Sequence, residues 1–308
     1  MKKRPDRDLS AEHGTGSDND SGSSSRIEPS WPAPGKLNLF LHVTGRRRDG
    51  YHMLQTVFQF LDFYDTLDFD IRKDDRITLS TNYADAVTGE DLILRAAKML
   101  QQASPGAPGV DIQAHKRLPV GGGLGGGSSN AATTLVALNT LWRSGKSIGE
   151  LAEMGLALGA DIPVFVHGHA AWAEGIGEQL THVDPPQDWY LVVNPGFSVS
   201  TAEIFNARDL TRNTPAITIR DFLEGQSRND CEPVVSRIYP ELAEVLGWLR
   251  DRAPARLTGT GSCVYAVFKS EMEAKHILAS LPPPLRGFVA QGLNRSPLLD
   301  RLRRETDG

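Results

Sequence analysis

Pro119-Val120-Gly121-Gly122-Gly123-Leu124-Gly125-Gly126-Gly127-Ser128-Ser129-Asn130 carries the densest information in this chain. Six glycines occupy seven consecutive positions from Gly121 to Gly127. With no Cβ, their backbone N–H groups are unshielded and positive φ is open to them. The stretch runs straight into a helical pattern from Ala131 to Arg143, whose apolar stripe is Ala131, Leu135, Leu138 and Trp142. Gly145 follows as a C′ stop. Loop N–H groups backed by a helix N-terminus form an anion site, so the stretch is expected to hold phosphate. The plainer alternative is a flexible Gly/Ser linker. Pro119 and Leu124 as fixed points, and a helix that starts without a gap, count against it.

Two commoner phosphate loops do not fit. Gly121, Gly123 and Gly126 satisfy G-x-G-x-x-G, but the dinucleotide fingerprint needs a buried strand leading directly into its first glycine. Here Lys116-Arg117-Leu118-Pro119 intervenes, and Glu150, the nearest acid at a suitable distance, belongs to a capping box with Ser147. The P-loop spacing is absent as well, because Ser128-Ser129-Asn130 stands where its lysine should be.

Upstream, Leu37, Leu39, Leu41 and Val43 alternate with Lys36, Asn38, Phe40 and His42. That period of two predicts a strand with Lys36 and Asn38 sharing the face opposite the leucines. Asp49-Gly50 is a tight-turn signal placed just before Tyr51 and His52. Tyr51 to Ile71 reads as further strand, broken around Tyr64-Asp65; Asp91 to Gln102 reads as a helix, and Val110 to Ala114 as a strand. A helix opening at Ser147 stops near Gly159; Asp161 follows, then Ile162 to Val166, which reads as extended. Beyond a boundary near Pro185-Pro186 the pattern predicts strand 190–193, helix 241–250, a glycine turn at Thr258-Gly259-Thr260-Gly261, strand 263–268, helix 271–280 and strand 287–291. Together these predict an α+β fold with helices packed on one face of a sheet.

Composition bounds the function. The chain has 308 residues, 40% hydrophobic and 23% charged, an ordinary globular balance with room for two domains. Its 33 basic and 38 acidic residues leave a formal charge of −5, so neither nucleic acid nor anionic lipid is attracted globally. Two cysteines, Cys231 and Cys263, cannot build a disulfide framework, and no apolar run approaches the ~18 residues of a membrane span. A soluble protein of a reducing cytoplasm is expected. Residues 1–30 are polar and Gly/Ser-rich and read as a disordered tail; Lys2, Lys3 and Arg4 lack the apolar region that would make an export signal. His115, His167, His169 and His182 fall at no metal-ligand spacing.

The Pro119 to Asn130 loop resembles the Pro-x-Gly-x-Gly-Leu-Gly-Ser-Ser phosphate loop of the GHMP kinases. Three further segments agree with that family: Lys36-Leu37-Asn38-Leu39 with Asp49-Gly50-Tyr51-His52, Gly159-Ala160-Asp161-Ile162-Pro163, and Arg256-Leu257-Thr258-Gly259-Thr260-Gly261. Their order and separations fit from about Trp31 to Leu299. The likeness is strongest to the branch that phosphorylates a cytidine-diphosphate alcohol of the non-mevalonate isoprenoid pathway. The resemblance implies a GHMP-kinase fold, with an ATP-binding, ribosomal S5-like domain over 31–184, a ferredoxin-like α/β plait over 185–300 and a short tail at 301–308. It implies ATP as co-substrate, Mg²⁺, and a monomer or weak homodimer without nucleic-acid or membrane partners.

The same resemblance implies roles for particular residues. Asp161 becomes the general base and Lys36 the group that orients the acceptor and stabilises charge. Pro119 to Ser129 would hold the ATP phosphates. Tyr51 and Phe205 would sandwich a cytosine ring, His52 would hydrogen-bond its edge, and Asn38 and Thr201 would line the substrate pocket. Metal ligands are left unassigned. On the residues alone Asp161 reads more readily as a turn or cap acid than as a base. Two positions depart from the family pattern: Gly35, where many members carry Ala, and Asn130, where many carry Asp. A homoserine or mevalonate type of kinase, and a non-catalytic nucleotide-binding relative, remain alternatives at this point.

Overall fold

A long antiparallel hairpin organises the structure, a computed structural model that describes residues 30–82 and 91–307. The expected tail over residues 1–30 lies outside the described residues as far as residue 29. Strands β1 (Trp31–Arg46) and β2 (His52–Ile71) form the hairpin, closed by a turn in which Arg47 N–H donates to Tyr51 C=O at 2.7 Å. The register sets Lys36 opposite Phe60 and Asn38 opposite Phe58. Strand β2 runs unbroken through Tyr64 and Asp65, which stay paired with Pro34 and Ala33. The break read from the sequence is therefore corrected: Asp65, polar and fully buried, is tolerated because it finds donors beyond the sheet.

β3 (Ile77–Thr81) lies parallel to β4 (Val110–His115), with α1 (Leu92–Gln102) in the sequence between them. Asp91 caps α1 by accepting the Ile93 N–H at 2.7 Å. α2 (Gly126–Leu141) begins inside the glycine stretch, five residues before the expected Ala131, and ends before Arg143. Glycine's poor helix propensity hid this start; tertiary burial of residues such as Leu135 and Leu138 overrides it. α3 (Ile148–Leu158) carries the predicted capping box of Ser147 and Glu150.

Ile162 to Val166, read as extended, is instead the helix α4 (Ile162–His167). Its β-branched residues suggested a strand, but Pro163 suits a first helical turn and all five residues are buried between α2 and α3. The chain continues through β5 (Ala171–Glu174), β6 (Gln179–His182), β7 (Trp189–Asn194), α5 (Thr201–Asn206), α6 (Ile219–Leu223) and α7 (Glu232–Ile238). It closes with α8 (Pro240–Arg250), β8 (Ala255–Leu257), β9 (Val264–Phe268), α9 (Glu271–Ala279), β10 (Arg286–Leu293) and α10 (Pro297–Thr306).

The sheet runs β3-β4-β2-β10-β7-β9-β8, with β1 paired to β2 and β5 paired to both β2 and β6. β10 is the bridge, since it pairs with β7 along most of its length and with β2 at Gly292 and Leu293. One apolar cluster packs α1 to α4 on the first half of the sheet, around Phe60, Ile112, Leu135 and Phe165. A second packs α5, α7, α8 and α9 around Leu191, Ile204, Leu246 and Val264. A third, with Leu37, Phe40, Leu61, Leu124 and Tyr265, draws on both halves beside the glycine loop. The short tail expected at 301–308 is corrected for its described part: α10 runs to Thr306, and Arg301 is buried with its guanidinium 4.4 Å from the Trp31 ring centre.

Candidate active site

The glycine loop is tied down on both sides. Leu124 C=O accepts the Lys36 N–H of β1 at 2.9 Å, and Gly122 C=O accepts the Cys263 N–H at 3.1 Å. Gly123 has φ +78°, and a Cβ there would lie 2.5 Å from the carbonyl oxygen of Thr258. Gly125, at φ +71°, caps α2, and a Cβ there would lie 2.8 Å from the Phe165 ring. Loop and helix end thus form one surface, open on a cavity of about 540 Å³. Pro119 through Ser128 all line it, together with Thr81, Arg95, Lys116 and Asn130. Ser129 does not; it is fully buried, and its hydroxyl has no hydrogen-bond partner among the described residues.

Beneath the loop sits a residue the sequence reading missed. The buried Asp65 carboxylate accepts the backbone N–H groups of Arg117 at 2.7 Å and Leu118 at 2.8 Å, the Lys116 ammonium at 2.5 Å and the Asn130 amide at 3.0 Å. Asn130 also accepts from Lys116, so its amide donates to Asp65 and accepts from the lysine at once, whereas a carboxylate there could accept from Lys116 but could not donate to Asp65. The departure at Asn130 is part of this network. At Gly35 a Cβ would lie 2.8 Å from a methyl of Leu118; the glycine makes room for the residue that leads into the loop. The one available sequence signal was an acid in mid-strand at the supposed break.

A second cavity of about 250 Å³ shares Gly123 and Gly125 with the first. Lys36, Asn38, Asp161, Thr201 and Phe205 all line it. Lys36 Nζ lies 3.3 Å from Asp161 Oδ2 and donates to Asn38 Oδ1 at 2.5 Å and Gly123 C=O at 3.0 Å. The lysine side chain is 4% exposed and the aspartate 37%, so the carboxylate is the member of the pair that an incoming molecule can reach. Asp161 heads α4 without capping it, which leaves its oxygens to the lysine and the cavity. The other wall comes from the C-terminal half: Thr201 and Thr260 hydroxyls lie 2.9 Å apart, and Asn38 N–H donates to the Thr258 hydroxyl at 3.0 Å. Asn229 steadies that turn by donating to the carbonyls of Leu257 and Gly259. Thr56, whose hydroxyl accepts from the Asn38 amide at 2.9 Å, and Asn229 were not among the residues picked out from the sequence, and Thr260 was named there only as part of the glycine turn.

The remaining expected substrate residues are placed less directly. Tyr51 is 61% exposed and does not line this cavity. The His52 ring stacks on Phe205 with centroids 4.9 Å apart, and its Nε2 accepts the Arg212 Nε–H at 3.1 Å. Burial, then the Arg212 and Arg46 charges, hold the His52 pKa below its ordinary value. His182 lies 3.2 Å from Asp184 and His115 3.7 Å from Asp68. Among the described residues no group of three or more His, Cys, Asp or Glu is arranged to hold a metal ion.

The geometry is a nucleotide-sized cavity, rimmed by backbone donors, that meets a lysine–aspartate pair. The GHMP kinases N terminal domain profile matches residues 91–169, and the GHMP kinases C terminal profile matches residues 209–283. A 4-diphosphocytidyl-2-C-methyl-D-erythritol kinase of Shewanella putrefaciens is 55% identical over 280 residues, covering 91% of this chain and 99% of that one. The chain belongs to the GHMP kinases.

This GHMP kinase is therefore an ATP-dependent phosphotransferase with an alcohol acceptor. A Mannheimia succiniciproducens protein named as the same kinase is 52% identical over 281 residues, covering 90% of this chain and 93% of that one. A crystal structure of 4-(cytidine 5'-diphospho)-2C-methyl-D-erythritol kinase superposes with TM-score 0.75 at 31% identity, covering 86% of this chain and 99% of the other. A mevalonate kinase structure, at 17% identity and TM-score 0.66, covers 87% and 100% and shares the fold. No helix among the described residues is long and apolar enough to cross a membrane.

Proposed function

We propose that this kinase transfers the γ-phosphoryl group of ATP to the 2-hydroxyl of 4-diphosphocytidyl-2-C-methyl-D-erythritol, a step of non-mevalonate isoprenoid synthesis. The observation that carries the substrate is the 55% identity, over 91% of this chain and 99% of the other, with a kinase of that name. The geometry supports the chemistry. Phosphoryl transfer needs the nucleotide phosphates cradled, charge neutralised and the acceptor proton removed. The loop N–H groups and the head of α2 cradle the phosphates. Where the two cavities meet, at Gly123 and Gly125, the γ-phosphoryl group faces the acceptor. Asp161 takes the hydroxyl proton as the oxygen attacks phosphorus, and ADP leaves with the bridging oxygen. Lys36, held by Asn38 and Gly123, fixes the carboxylate and offsets negative charge as it spreads over the transferring group. Phe205, Thr201 and His52 form the base end of the acceptor site, with Tyr51 as its exposed outer member.

The residues fit a Mg²⁺ that arrives with the nucleotide. Such an ion is commonly held by substrate phosphates, waters and only one or two protein oxygens, and the cavity wall offers the hydroxyl of Ser128 at the head of α2. It would neutralise charge on the β- and γ-phosphates. The kinase works in the cytoplasm as a monomer or weak homodimer. ATP consumption with the cytidyl-diphospho-methylerythritol alcohol, beside mevalonate and homoserine, tests the reading. Turnover confined to the first supports it; turnover of either other alcohol in its place overturns it.

A further inference from the structure

Arg212 makes contacts that the chemistry above does not use. It lies in the segment between α5 and α6, half-buried, and does not line the acceptor cavity. Its Nη2 donates to Phe205 C=O at 2.8 Å and Ala207 C=O at 2.6 Å, and its Nη1 to Leu210 C=O at 3.1 Å. Its Nε donates to His52 Nε2 at 3.1 Å. One guanidinium thus grips the last turn of α5, which carries Phe205, and a ring at the start of β2 in the other half of the chain.

We propose that Arg212 is a positioning residue for the nucleobase end of the acceptor site, locking His52 and Phe205 into one preassembled unit. The proposal rests on the reading that this kinase takes a cytidine-diphosphate alcohol. A planar fork suits the task, because its donors point in fixed directions and need no rearrangement on binding. Nε2 of His52 can accept from Arg212 only while it carries no proton, so the ring is neutral with its hydrogen on Nδ1. Protonation would leave that nitrogen with no lone pair and set two cations side by side. The groups facing His52 are Arg212 from the α5–α6 segment and Arg46 from the opposing strand, both cationic and both favouring the neutral ring. Without Arg212 the ring and the α5 turn are free to separate, and ordering them falls to the substrate.

Arg212→Met and Arg212→Lys test this. Arg212→Met should raise KM for the cytidyl alcohol roughly 10- to 100-fold, the range for losing a charge-assisted bond, while kcat and KM for ATP stay within about 2-fold. The His52 ring, followed by proton NMR, should titrate at higher pH than in the parent enzyme, and the acid limb of the substrate KM profile should move with it. Arg212→Lys keeps the charge and loses the fork, so its KM should lie between the two and its His52 titration near the parent's. Unchanged KM for the cytidyl alcohol in Arg212→Met, with the parent active on it, overturns the proposal alone. Equal loss of kcat and both KM values, with a lowered Tm, would reduce Arg212 to a structural cap for α5 and also overturn it. A parent enzyme inactive on the cytidyl alcohol overturns the substrate reading and this proposal together.

Discussion

Replacing Asp161 by Asn separates catalysis from folding more sharply than any other single change at this site. The amide keeps the shape of the carboxylate and can still accept from Lys36, but it cannot take a proton from an alcohol. The structural cost is small because the side chain is 37% exposed, caps no helix, and has Lys36 at 3.3 Å as its ion-pair partner. The pair joins a part-exposed carboxylate to a buried ammonium that keeps its bonds to Asn38 and the Gly123 carbonyl, so losing the charge costs more than the ~1 kcal/mol of a surface pair and less than the ~3–5 kcal/mol of a buried one. About 1–2 kcal/mol corresponds to a Tm shift of roughly 2–8 °C for a chain near this size. The kinetic cost is much larger. A positioned acid–base group contributes about 10²- to 10⁴-fold, equivalent to roughly 2.7–5.5 kcal/mol of barrier at 1.36 kcal/mol per tenfold. The assay is steady-state phosphorylation of the alcohol, with ATP affinity measured by titration and Tm by calorimetry on the same preparation. Turnover should fall by at least about 100-fold, with ATP affinity nearly unchanged and Tm lowered by no more than that modest shift. A variant that keeps more than about a tenth of parental turnover would remove Asp161 from the role of base.

Other perturbations read other parts of the structure. Asp65→Ala takes the counter-charge from the Lys116 ammonium and the acceptor from two backbone N–H groups; stability should fall by roughly 3–5 kcal/mol in denaturant titration, and KM for ATP should rise as the loop loosens. Gly123→Ala forces a side chain to positive φ and against the Thr258 carbonyl, at roughly 2–5 kcal/mol for strain and overpacking together, to be read as a lowered Tm and weakened ATP binding. Burial holds the His42 pKa below its ordinary 6.5, against Asp230, which raises it. The unfolded chain therefore takes up this proton first, and the stability His42 contributes is complete above pH 6.5 and lost as pH falls below it. Thermal melts from pH 8 to 5 should show a shallower acid decline in His42→Gln than in the parent. Cys231 and Cys263 are buried, and burial pushes both thiols up to about 12; a thiol reagent should label neither until denaturant is added.

Much of the site was legible because local periodicity carries it. Alternation alone put Lys36 and Asn38 on one face, and in the structure their side chains meet at 2.5 Å. The glycine run, the Asp49-Gly50 turn and the Ser147 capping box are likewise set by residues within a few positions of each other, where backbone sterics and short-range hydrogen bonds decide. Other features were invisible for the opposite reason. Asp65 is joined to Leu118 across 53 residues and Arg212 to His52 across 160, and no pattern near either residue signals its partner. α4 and the first turn of α2 oppose their local propensities, which weigh tenths of a kcal/mol to about one per residue, less than the burial of Phe165 or Leu135 returns. The sequence by itself determined the glycine run and the hairpin turn, and its resemblance to the GHMP kinases singled out the lysine and the aspartate. Only the tertiary structure brought that aspartate to 3.3 Å from that lysine and set both beside the glycine loop, because contacts between distant segments depend on how helices and sheet bury their apolar faces together.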